Sequence, residues 1–298
     1  MRGLIDKARQ ARLNTLLLYV GDDVAFEAAG LQLLPRAMSR DDFAAGVAYA
    51  RASGMEVIPH LPLLTKQHRF FKQDMPELMY NNATYDPRNP ETMRRVYAHL
   101  QEIIDLIEPT AIHIGHDEVE GTFPRKARLQ WSAAQRRKWL APGQDMLPPE
   151  LFLKHVHDLR NFLAAQSIQT WMWGDMLIRY EEFPAMVRRN MHGNRGYAEL
   201  RGELPRDIVI CDWHYWDTGE EFPTAAAFAE LGHQVLGSTR ERPANIVAFS
   251  RYMTGMQQGG KGMIATLWSL LNRAEPELVD RVIAQSGEAF WNPQTAPP

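Results

Sequence analysis

Apolar residues in this chain gather into short runs of five to seven, and between the runs lie longer stretches with helical spacing. The runs predict strands at Thr15–Val20, Met55–Leu61, Ala111–Gly115, Gln169–Trp173, Ile208–Trp213, Gln234–Ser238 and Met263–Leu267. An opening helix is expected at Gly3–Arg12. Others are expected near Arg40–Ser53, Pro90–Ile107, Pro149–Gln166, Phe183–Met191, Thr224–Leu231, Ala244–Gln258 and Glu275–Phe290. Pro90 and Pro149 fall where a first helical turn tolerates proline, and Gly54, Gly232 and Gly262 fall where helices end before strands. Regular alternation of strand and helix argues for parallel βα units in one domain spanning residues 1–298, with no linker or low-complexity tract to divide it.

Seven strands are one short of a closed barrel. The fold class is therefore read as α/β, a (β/α)8 barrel of TIM type lacking its first strand, with a gap between Thr15–Val20 and Met263–Leu267. Either a misread segment fills the gap or the native gene begins upstream of Met1. Unpaired strand edges beside it would invite pairing with another chain, so a homo-oligomer is one expectation. A doubly wound open sheet is the alternative, but no Gly-x-Gly-x-x-Gly turn follows any of the strands.

Composition narrows the function classes. A net charge of −3 gives no reason to expect a polyanion, so nucleic acid is not an expected partner. The basic clusters at Arg125–Arg128 and Arg136–Lys138 read as solvated helix faces. The single cysteine, Cys211, excludes an internal disulfide and a cysteine-rich metal site, and its strand-like flanks suit an inert buried thiol. No apolar run reaches membrane-spanning length, and Arg2–Arg12 is charged and amphipathic rather than a secretory leader; the expected location is cytoplasmic.

In barrels the chemistry sits at the carboxyl ends of the strands. Those positions hold Asp22 and Asp23, His60, His116 with Asp117 and Glu118, Trp173 with Asp175, Asp212 with Trp213, His214 and Tyr215, and Trp268. There is no phosphate cradle, and no cofactor or metal is expected. Carboxylates among aromatics suit a carbohydrate, whose apolar ring faces stack and whose hydroxyl rim needs hydrogen-bond partners. A single tryptophan would as readily be core packing; three beside polar residues on separate strand ends favour a binding role. In Ala111-Ile-His-Ile-Gly-His-Asp-Glu-Val119 an apolar strand runs directly into two adjacent acids. Neighbouring acids can have their proton affinities pushed apart, one serving as general acid. The plainer reading of an Asp-Glu pair is a helix N-terminus. Successive strand side chains point to opposite faces, so both acids reach one site only if the chain bends there.

The segment His113-x-Gly115-x-Asp117-Glu118 resembles the signature of glycoside hydrolase family 20, the β-N-acetylhexosaminidases, and particularly their hexosaminidase D-like branch. The likeness is colinear over nearly the whole chain. Leu13-Asn14, the strand and Gly21-Asp22-Asp23 are similar to a Leu-Asn strand ending in Thr-Asp-Asp; Gly54-Met-Glu-Val-Ile-Pro59 and Trp173-Gly-Asp175 also have counterparts, and Trp268 falls where the last strand carries a pocket tryptophan. The resemblance implies that the substrate's own 2-acetamido oxygen attacks the anomeric carbon, with retention and no enzyme nucleophile. It implies that Glu118 is the general acid and base and that Asp117 orients the acetamido group. Trp173, Trp213 and Trp268 would wall the sugar subsite, and Tyr215 would donate to the acetamido oxygen, although the family's tyrosine usually lies on a neighbouring loop. Asp22, Asp23, His60, His113 and Asp175 complete the expected binding set.

The chain also departs from the pattern. It begins after the place of the family's first-strand arginine, His60 stands where many members have Glu, and Pro62 replaces an acid or amide. Thr65-Lys66 replaces the usual Gly-His, and Leu270 stands where an acid often follows the last tryptophan. Three rivals remain: a glycosidase using Asp175 or Asp212 as nucleophile or base, a non-catalytic sugar-binding barrel, and a metal hydrolase using His60, His113, His116 and Asp117.

Overall fold

In the computed structural model, which describes residues 1–21, 23–30, 35, 37–66, 71, 74–119, 140, 143–268 and 275–296, seven strands form one parallel sheet in sequence order. They are β1 (Thr15–Tyr19), β2 (Glu56–Leu63), β3 (Ala111–Gly115), β4 (Gln169–Trp173), β5 (Val209–Trp213), β6 (Val235–Thr239) and β7 (Gly260–Ala265). The described helices are α1 (Arg2–Gln10), α2 (Arg40–Ala52), α3 (Pro90–Ile107), α4 (Pro149–Ala164), α5 (Pro223–Glu230), α6 (Pro243–Gly255) and α7 (Pro276–Trp291). Proline opens each from α3 onward, where its missing N–H would have had no helical partner. Val96, Leu100, Ile103 and Ile107 make the buried stripe of α3, and Phe152, Val156, Leu159 and Leu163 that of α4, packing both onto the sheet. None of the described helices is long and apolar enough to cross a membrane.

Among the described residues the sheet curls into a barrel that lacks one strand. The rings of Tyr19, ending β1, and Trp268, just past β7, lie 6.1 Å apart. Outside, α1 packs against α7, where Lys7 pairs with Asp280 at 2.5 Å and the Trp291 indole N–H donates to the Arg12 carbonyl at 2.8 Å. Yet among the described residues β1 pairs only with β2, and β7 only with β6. Exposure reflects this: β3, β5 and β6 are buried along their whole length, whereas β1 is mostly half-buried and Gly260 and Lys261 of β7 are exposed.

Strand alternation divides the interior in two. Ile58, Ala111, Trp171, Trp173, Val209, Cys211, Trp213 and Leu236 cluster inside the barrel, while Val57, Ile112, Ile114, Met172 and Ile210 pack outward in the cluster shared with the helices.

Two expectations need correction. Phe183–Met191 is not an α-helix; the connection from β4 to β5 carries only 3-10 turns at Asp175–Leu177, Arg188–Asn190 and Ala198–Gly202. Pro184 interrupts the run, and the Val187 N–H goes to Asp217 Oδ1 at 2.7 Å instead of to a helical carbonyl. The segment folds back on itself through His192 N–H to the Asp175 carbonyl and Gly193 N–H to the Ile178 carbonyl, both 2.8 Å. The last strand also starts earlier than Met263, because Gly260 already pairs with Val235, so Gly262 lies within a strand instead of ending a helix. The basic clusters at Arg125–Arg128 and Arg136–Lys138 fall outside the described residues.

Candidate active site

The bend that two adjacent acids require is present at the end of β3. Gly115, His116 and Glu118 take positive φ values of 74°, 69° and 51°. Gly115 admits no side chain: a Cβ would stand 2.9 Å from the Leu61 carbonyl oxygen and 3.1 Å from the Leu63 nitrogen. A non-glycine residue in the left-handed region is held there by its surroundings. For His116 the hold is a buried chain of hydrogen bonds. Its Nδ1–H donates to the Ile114 carbonyl at 2.8 Å, and its Nε2 meets His155 Nδ1 at 2.8 Å. His155 Nε2 in turn lies 3.0 Å from the Tyr85 hydroxyl. Burial lowers His116 to about 4 and holds His155 well below the ordinary histidine range, so both rings are neutral links.

Beyond the bend, Asp117 and Glu118 face one cation. The Lys66 ammonium pairs with Asp117 Oδ2 and lies 3.3 Å from Glu118 Oε2. The Glu118 N–H donates to Asp175 Oδ2 at 3.0 Å, joining the ends of β3 and β4. Burial, then the charges of Asp117 and Glu118, push the Asp175 carboxyl well above the ordinary carboxylate range; the Glu118 N–H only partly opposes this. Partial burial disfavours the charge on Lys66, but the two carboxylates outweigh it and hold the ammonium well above the ordinary lysine range.

Aromatic rings gather at the neighbouring strand ends. Trp173 lies 4.5 Å from His113, 5.5 Å from His60 and 5.9 Å from Trp268, centroid to centroid. Its indole N–H donates to His60 Nε2 at 3.2 Å, and Trp268 donates to the Tyr215 hydroxyl at 2.8 Å. Trp213 stacks between Tyr215, 5.1 Å away, and His192, 5.8 Å away. Burial pushes Tyr215 up to about 12 and His60 down to about 3, so the phenol keeps its proton and the imidazole stays neutral.

The structure thus brings together Asp117, Glu118, Asp175, His60, His113, Trp173, Trp213, Tyr215 and Trp268. Asp23 is exposed and has no side-chain contact with this group among the described residues, and Asp22 lies outside them. Asp212 and His214 do not belong to it. Asp212 shares the outward face of β5 with Ile210, where it accepts from Thr224 Oγ1 at 2.7 Å and lies 3.1 Å from His214 Nε2. His116 likewise points away, toward His155 on α4, which separates it from His60 and His113 as a metal ligand. Among the described residues no group of three or more His, Cys, Asp and Glu side chains is arranged to hold a metal ion. Cys211 is fully buried inside the barrel, and burial raises its thiol well above the ordinary range. Two contributors, Lys66 and His192, were not expected. Lys66 stands just past β2, a position that strand-end reading reaches; His192 arrives on the folded-back connection, which leaves no periodic signal.

A family model described as glycosyl hydrolase family 20, catalytic domain, matches residues 25–293. No curated protein matches the chain. Among solved structures, it is similar to a chitobiase from Flavobacterium johnsoniae, with TM-score 0.66 and 15% identity over 98% of this chain and 46% of that one. A β-N-acetylhexosaminidase from Bacteroides fragilis gives TM-score 0.66 and 15% identity over 96% of this chain and 61% of that one. An exo β-N-acetylglucosaminidase from Vibrio harveyi, in complex with N-acetylglucosamine, gives 0.60 and 14% over 99% and 53%. At these identities the likeness is one of fold, and the chain spans roughly half the length of these proteins.

Proposed function

Because the chain belongs to glycosyl hydrolase family 20, we propose that it removes β-linked N-acetylhexosamine by substrate-assisted hydrolysis with retention. The observation that carries this reading is the bend after β3, which turns Asp117 and Glu118 to one cation. The sugar seen in the Vibrio harveyi protein supports N-acetylglucosamine as the substrate class.

In the first step the acetamido oxygen of the bound sugar bonds to the anomeric carbon. The glycosidic bond breaks, and its oxygen leaves with the proton of Glu118. Asp117 accepts from the acetamido N–H and stabilises the positive charge that develops on the resulting oxazolinium. In the second step the Glu118 carboxylate takes a proton from water, whose oxygen opens the oxazolinium and restores the configuration. Trp173, Trp213 and Trp268 pack against the sugar. Tyr215 accepts from the Trp268 indole and would turn its own hydroxyl proton to the acetamido oxygen once the sugar is bound.

A carboxylate nucleophile is disfavoured by the surroundings of the two candidates. Asp175 lies where burial and neighbouring charges favour its protonated form, and Asp212 faces away from the barrel interior. The test is chemical trapping. A thiazoline mimic of the intermediate should inhibit competitively, and a 2-fluoro glycoside should leave the protein mass unchanged. A labelled Asp175 in the peptide map would replace this mechanism with a covalent one.

A further inference from the structure

Lys66 enters the site from a strained turn. Leu64 and Lys66 have φ values of 68° and 59°, conformations that residues with side chains rarely adopt. The turn is fixed from behind: Thr65 bridges to Thr84, and the Tyr85 N–H donates to the Leu64 carbonyl at 3.1 Å. Strain of this kind persists where the surrounding structure imposes it, and such residues cluster at functional sites. Here the turn delivers an ammonium group, one third exposed, to the two acids at the end of β3. It faces Asp117 and Glu118 from β3, and its charge acts on Asp175 from β4, His60 from β2, His192 from the β4–β5 connection and Tyr215 from the end of β5.

Two carboxylates turned to one side repel each other, and the proposed reaction needs both in place. Asp117 must meet a developing positive charge, while Glu118 must alternate between acid and base. Lys66 bonds Oδ2 of Asp117, so that Oδ1 would be the oxygen to accept from the sugar's amide N–H. The same ammonium reaches Oε2 of Glu118, where it meets the negative charge left when the proton has gone to the leaving group. We propose that Lys66 is a positioning residue of this site, whose ammonium bridges Asp117 and Glu118, balances their paired charge and turns Oδ1 of Asp117 toward the substrate. This rests on the hydrolytic reading above for its consequence in catalysis, while the bridge itself is testable without substrate.

The test compares Lys66→Met and Lys66→Arg with the unaltered protein. Side-chain carboxyl carbons are followed by NMR over pH, with Asp117→Asn and Glu118→Gln assigning the signals. In Lys66→Met the two carboxyl signals should change their pH response in the direction expected when a bridging opposite charge is removed, toward higher pH. Lys66→Arg should leave them near their original positions. On an aryl N-acetyl-β-glucosaminide, Lys66→Met should lose on the order of 10²-fold in kcat, the scale of a misplaced catalytic group, and Lys66→Arg should recover most of it. KM should change by no more than about threefold, since the bridge acts mainly after binding. Lys66→Gln replaces the Met variant if that one does not fold. Unmoved titrations overturn the bridge. Moved titrations with kcat unchanged or raised would make Lys66 a competitor of the substrate and overturn the positioning role. An unaltered protein that hydrolyses no N-acetylhexosaminide refutes the hydrolytic reading, and the titrations then still decide the bridge.

Discussion

Glu118→Gln should lower kcat on N-acetylhexosaminides with poor leaving groups by about 10²–10⁴-fold, the usual worth of general acid–base assistance. The loss should be much smaller on activated aryl glycosides, whose leaving oxygen departs without a proton. The amide is nearly the same size as the acid, and the backbone N–H that anchors position 118 to Asp175 is unaffected. The contrast between leaving groups therefore isolates the proton from the fold. Comparing kcat on a phenyl and a nitrophenyl glycoside would measure it; equal losses on both would remove Glu118 from the acid role.

Asp117→Asn should cost on the order of 10²–10³-fold in kcat, comparable with removing one fixed group aimed at transition-state charge. Its effect on KM should be modest, because the negative charge matters most once the oxazolinium forms. Affinity for a thiazoline mimic should fall with kcat, since the mimic resembles the intermediate more than the substrate does. Inhibition constants for that mimic, measured beside kcat in the variant and the unaltered protein, provide the check. An unchanged kcat would reduce Asp117 to a structural partner of Lys66.

Most of the barrel was legible in the sequence because its strands are short apolar runs with clear boundaries, and its helices carry buried stripes of the kind seen in α3. The open edge was legible by counting, and the half-exposed residues of β1 show its physical consequence. The β4–β5 connection departs from the sequence pattern because Phe183–Met191 has helix-like apolar spacing, while its backbone groups bond to Asp217 and to the segment's own turns. Long-range pairing of this sort has no period. Asp212, which stands at a strand end and serves the rival glycosidase reading, is set apart by its face: it shares that of Ile210, whereas Trp213 shares its own with Val209 and Cys211. Counting positions in twos along β5 would have separated them.

The acid pair shows the limit of local reading. Adjacent residues on a strand diverge, and only the left-handed turn at Gly115, His116 and Glu118 brings them to one cation. Part of that turn is written in the sequence, since Gly115 tolerates no side chain against β2. The rest depends on His155 and Tyr85, far along the chain, which hold His116 in place. Lys66 was visible as a substitution beside β2, but its reach to both acids follows from the strained turn that carries it.

The most direct test of substrate-assisted hydrolysis is a panel of aryl β-glycosides that differ only at C2. The acetamido sugar should be hydrolysed with retention, while the 2-hydroxy and 2-deoxy sugars, which lack an internal nucleophile, should give no turnover above background. Comparable rates on the acetamido and 2-hydroxy sugars would contradict the mechanism proposed for Asp117 and Glu118.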